Sequence, residues 1–148
     1  MANSTSSAWI IGVILSIIGV LLVFMTWFEA YVLFQTADYN AFDMAFGSPF
    51  QEGGFWEDFD PIGKFCPLIF GVLAIIDAAL YYAGRNGKVS ALTYLIAVFM
   101  MIIPIYVIMC INPDSGTGWR RSAGTANYIG IGIGFILMII TYQQNVKS

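Results

Sequence analysis

The chain has 148 residues, no histidine, and only two cysteines, Cys66 and Cys110, which stand apart without a CxxC pair. Haem, copper, catalytic zinc and iron–sulfur centres lose their usual nitrogen and sulfur ligands, so no cofactor and no metal is expected. The Ser-His-Asp and Cys-His arrangements of nucleophilic catalysis fall with the histidines. Charge is scarce too: 10% of residues are charged, against about 25% in a soluble domain. The six Lys and Arg form no run and the net charge is -3, so a nucleic-acid partner has no electrostatic footprint. Nothing spaces the carboxylates for general acid–base work, and the expectation is a protein that is not an enzyme.

Apolar residues make up 59% of the chain. They fall into four runs, at about 9–27, 61–83, 89–111 and 127–143. A spanning helix needs about 20 such residues. The expected fold is therefore an all-α membrane protein, a four-transmembrane-helix bundle forming one domain over 1–148. The first run is too long for a signal-peptide core and lacks a basic flank, so it reads as an uncleaved helix. Asp60-Pro61 is an N-cap acid followed by proline at the first helical position, and Gly84 ends that second run. Arg85 to Lys88, centred on Asn86-Gly87, joins the second and third runs as a tight antiparallel hairpin, and Pro104 is expected to kink the third.

Four crossings bring both termini to one face and the loops at about 28–60 and 112–126 to the other. Lys and Arg divide equally between the faces: Arg85, Lys88 and Lys147 against Lys64, Arg120 and Arg121. The positive-inside rule is then a tie, and the acidic first loop (Glu29, Asp38, Asp43, Glu52, Glu57, Asp58, Asp60) supports termini in the cytoplasm of a plasma-membrane protein. Within that first loop, expected to be extracellular, EAYVLFQ and YNAFDMAF read as two strands of a small sheet over the bundle ends. Its aromatics either pack on the helix ends or form an interaction surface, with Trp27, Phe55, Trp56, Trp119, Arg120 and Arg121 as the candidates. Salt bridges from the two arginines to Glu57, Asp58 or Asp60 would clamp the loops together, or hold a lipid headgroup instead.

Asp77, in LAIIDAALYY, is the residue most in need of a reason, because an acid within a span is costly and a functional hypothesis by default. It lies about 10 Å inside the membrane from the terminal face, at about 1.5 Å per residue from Gly84. At similar depth stand Ser16, Thr93, Tyr94, Thr141 and Tyr142, and no lysine or arginine. Desolvation favours the neutral acid, which would donate a hydrogen bond to one of these hydroxyls; a proton or cation relay, or a contact to another subunit, is the functional alternative. Glu29 sits at the opposite face and cannot pair with Asp77. Ala8, Gly12, Ser16 and Gly19 in the first run, and Ala126, Gly130 and Gly134 in the last, form small-residue stripes expected to meet each other or to make a homo-oligomer seam. Cys66 and Cys110, near the outer ends of neighbouring helices, read as two small apolar side chains, with a disulfide as the alternative.

The exit FMTWFE, the aromatic loop containing YNAFDMAFG, the tight second hairpin and the glycine-rich last helix resemble those of small four-helix membrane proteins of bacteria and archaea. That resemblance spans the chain and implies a fold but no activity. The layout also looks like the claudin class of tetraspan proteins, whose first loop carries a W-GLW-C-C signature. Phe55-Trp56 is the nearest equivalent of GLW, and the first loop has no cysteine, so barrier function is not implied. The expected partners are membrane lipid and other membrane proteins or further copies of the chain, engaged as an accessory, assembly or surface-interaction protein. The alternative is a small proton- or cation-linked transporter or channel subunit using Asp77.

Overall fold

A computed structural model describes residues 8–32, 34–54, 56, 59–86, 91–111 and 120–147. Helix α1 (Ala8–Leu21) tightens into a 3-10 turn at Leu22–Phe24. Strands β1 (Phe28–Val32) and β2 (Gln35–Tyr39) follow, then a short helix α2 (Ala41–Phe46) and a 3-10 turn at Ser48–Phe50. The long helices are α3 (Pro61–Ala83), α4 (Ala91–Ile111) and α5 (Thr125–Lys147), with strand β3 (Arg120–Ala123) just before α5. Among the described residues the protein is mostly helical with one small sheet, and three helices, α3, α4 and α5, are long and apolar enough to cross a membrane.

The first helix is shorter than the apolar run from Trp9 to Trp27. Its end has a local cause: the Trp27 indole turns back and donates to Leu22 O at 2.8 Å, while Trp27 N–H goes to Tyr39 O of β2 at 2.9 Å. The chain thus leaves the helix to enter the sheet. Helix α3 begins as the sequence predicts, with Asp60 accepting from Ile62 N–H at 3.1 Å and Pro61 in the first turn. Helices α3 and α4 run unbroken through Pro67 and Pro104, since a neighbouring helix can shelter the freed carbonyls. Helix α5 extends past Gln143 to Lys147, through residues that include the good helix formers Gln and Lys.

The sheet has the order β2-β1-β3, antiparallel throughout, with Ala30 facing Ala37 on one side and Arg121 on the other. Two expectations change here. YNAFDMAF is not a strand: Asn40 accepts from Asp43 N–H at 2.9 Å and Asp43 accepts from Asn40 N–H at 3.1 Å, a reciprocal capping box that starts α2. The second strand is QTADY instead. The loop before α5 also contributes the third strand, so backbone pairing joins the two loops. The side chains of Arg120 and Arg121, and all of Phe55, Glu57, Asp58, Lys88 and Trp119, lie outside the described residues.

Beneath the sheet lies an aromatic core. The Phe28 ring stands 5.2 to 5.7 Å from those of Tyr39, Phe50, Trp56 and Phe59. Trp27 is fully buried against Phe70 of α3 at 5.4 Å, and Trp56 is buried as well. Neither tryptophan belongs to an exposed interaction surface, and the reason is the inward turn of the chain at both positions. Asn127, also buried, donates to Trp27 O at 2.7 Å, and Ala126 N–H donates to Thr26 O at 3.1 Å. These bonds fasten the start of α5 to the exit of α1.

Candidate functional site: a buried polar layer

Helices α1, α3, α4 and α5 form a ring in which α1 and α4 each contact both α3 and α5. Glycines set the register. A Cβ at Gly12 would stand 2.6 Å from the Tyr81 ring, one at Gly19 would stand 3.2 Å from Ala74 Cβ, and Gly71 faces Val23. These three contacts step in opposite directions along α1 and α3, and the same register carries Ser16 to the level of Asp77. On the other side, Gly134 lies on the Met101 backbone and Gly130 on Pro104, which carries Thr93 to the level of Thr141.

The small-residue stripes of α1 and α5 therefore do not face each other. Gly12 and Gly19 receive α3, with Met100 of α4 also reaching Gly19, while Gly130 and Gly134 receive α4, with Phe70 of α3 at Gly130. Bulky partners seek the hollows that glycines leave, and Tyr81, Phe70 and Pro104 occupy them. Ala126 is buried at the start of α5, where its N–H meets Thr26 O.

Asp77 and Ser16 are 0% exposed, and among the described residues Asp77 Oδ1 and Oδ2 and Ser16 Oγ have no hydrogen-bond partner. Thr93 and Thr141 are buried beside them, one turn nearer the terminal face. Tyr94 and Tyr142 differ from expectation. Both are exposed, on the outer faces of α4 and α5, where they border a groove of about 320 Å³ with Phe135 and Met138. Their neighbours in sequence, Thr93 and Thr141, take the inward positions because about 100° of helical rotation separates adjacent residues.

Tyr81 is the member that the expected hydroxyl donors lacked. It follows Asp77 by four positions, hence on the same helix face, and that spacing was the available signal. Its hydroxyl donates to Leu137 O at 2.9 Å, and Thr141 Oγ donates to the same carbonyl at 2.8 Å. The two hydroxyls also bond each other. Two protons serve three contacts, so the cluster has more than one donor arrangement. It ties α3 to α5 and leaves Asp77 and Ser16 to the adjoining level.

A second polar cluster lies at the N-terminal end of α3, the end nearer the sheet. Asp60 accepts from the Tyr106 hydroxyl and from Cys110 Sγ at 3.4 Å, in addition to Ile62 N–H. The Tyr106 hydroxyl beside it holds the Asp60 carboxyl below its ordinary value of 3.8, against a smaller upward push from partial burial. Cys66 and Cys110 are both free thiols. Among the described residues no group of three His, Cys, Asp or Glu side chains is placed to hold a metal ion.

No family model, curated protein or solved structure matches this chain.

Proposed function

We propose that the protein is a four-span integral membrane protein that acts through protein contacts on the face carrying the sheet, as an accessory, assembly or surface-interaction subunit. Helix α1 with its 3-10 turn is about 27 Å long at about 1.5 and 2.0 Å per residue, close to the roughly 30 Å of a hydrocarbon core. It would be the shortest of four crossings. Apolar side chains on the outer faces, such as Ile14, Ile17, Ile75, Leu95 and Ile136, are exposed, as contact with lipid requires.

The observation that carries the contact reading is Phe34. Val32 pairs with Gln35, so two residues make the hairpin tip, and Phe34 there has φ +66° and is fully exposed. Such tips call for left-handed backbone, which glycine and asparagine supply readily and a bulky aromatic does not. Strain retained at an exposed tip is a hypothesis of function. Phe34→Asn should preserve or raise thermal stability in detergent while reducing recovery of a crosslinked partner from native membranes. A monodisperse monomer with no crosslinked partner before any substitution would count against this reading. The claudin likeness enters only as layout, since the loop between α1 and α3 has no cysteine.

A second reading, a small proton- or cation-linked carrier or channel subunit, is favoured by the unpartnered Asp77 carboxyl. Ion flux into proteoliposomes should fall at least tenfold in Asp77→Asn. Equal flux in both proteins, or none in either, removes it.

A further inference from the structure

Among the described residues, Asp77 Oδ1, Asp77 Oδ2 and Ser16 Oγ are buried with no hydrogen-bond partner and do not bond one another, while the register set by Gly12 on Tyr81 and Gly19 on Ala74 brings them to one level between α1 and α3. Buried polar groups are almost always paired, and exceptions call for a bound ligand or a functional role. The number of oxygens decides which ligand fits. Ca²⁺ and Mg²⁺ take about six or more oxygens, twice what the three orphaned atoms supply. A proton needs only one oxygen to hold it and a second to accept the bond.

We propose that Asp77 and Ser16 together form a proton site in the bundle. The proposal rests on the carrier reading only in its corollary, that the coupled ion would be H⁺ and not a metal cation. In the loaded state the proton sits on an Asp77 oxygen and is donated to Ser16 Oγ. The Ser16 hydroxyl proton then turns to the carbonyl of Gly12, one turn back in its own helix. In the unloaded state the Ser16 hydroxyl turns from the Gly12 carbonyl and donates to the carboxylate, so one proton leaves and the hydrogen bond to Gly12 is exchanged for one to Asp77. Among the described residues, the buried polar groups at or next to this level are Ser16 from α1, and, one turn toward the terminal face, Tyr81 from α3 itself, Thr93 from α4 and Thr141 from α5. Of these only Tyr81 titrates besides Asp77, and none bears a fixed charge. Its hydroxyl, already bonded to Leu137 O and Thr141, is the next group toward the terminal face.

The site is tested in liposomes by infrared difference spectroscopy over a pH series, with carbodiimide labelling of Asp77 as a second measurement. A protonated-carboxyl carbonyl band should be present, vanish in Asp77→Asn and shift in Ser16→Ala, and Na⁺ or K⁺ should not protect Asp77 from the label. No such band at any pH, a band indifferent to Ser16→Ala, or protection by either cation would overturn the proposal. Ser16→Ala removes only one oxygen and Asp77→Asn keeps the side-chain volume, so gel filtration can verify that both variants remain folded. Flux separates the two claims. A band without Asp77-dependent flux supports the site and removes the carrier, whereas Na⁺ flux without a band removes the site.

Discussion

Gly12 is as consequential as Asp77, although it has no side chain. The Tyr81 ring lies where a Cβ would be, and that position lets the Tyr81 hydroxyl reach Leu137 O and Thr141 on α5. One missing methyl group thereby permits a three-helix contact. Gly12→Ala should destabilise the folded protein by about 1–3 kcal/mol through overpacking, whereas Gly132→Ala, with open space around it, should not. Thermal unfolding in one detergent, with both variants in parallel, makes the comparison. An equal effect of the two substitutions would mean that the Tyr81 contact does not limit stability.

Among the elements, α3 shows most clearly which parts of the fold its sequence discloses. Its beginning is written in Asp60-Pro61 and its end in Gly84, because caps are local. The inward direction of Asp77 follows from period and small neighbours in the same way. What α3 packs against does not, since Tyr81 finds Gly12 and Leu137 only through long-range register. The same division explains YNAFDMAF, where aromatic alternation suggested a strand while the Asn40–Asp43 box, equally local, decided for a helix. For Trp27 and Trp56 the sequence leaves packing on the helix ends and an interaction surface both open, because a loop aromatic carries no mark of which way the chain turns, and their burial decides for packing. At the start of α3 the Asp60 carboxylate, held below 3.8, stabilises the folded state. Its contribution is full above the unfolded value and is lost as pH falls through the lower folded value. Asp60→Asn should therefore lower the melting temperature at pH 7 and flatten its decline below about pH 4. Unchanged acid sensitivity in that variant would assign the effect to other carboxylates.

For the whole molecule, the question is whether α1 completes the crossing. With Cys66→Ala and Cys110→Ala as background, Ala2→Cys and Phe34→Cys should react with a membrane-impermeant maleimide from opposite sides of the membrane. Reaction from the same side would leave α1 lying in or beside the bilayer and reduce the crossings to α3, α4 and α5. The pairing of β1 with β3 bears on something different, the order of events during synthesis. β1 is made early, yet the strand that completes its sheet emerges only after α3 and α4 have been made. Until then one edge of β1 is unsatisfied, and the Trp27 carbonyl waits for the N–H of Gly124 and the amide of Asn127. The segment running from β3 into the start of α5 thus completes the sheet, and a chain interrupted before β3 keeps an open sheet edge.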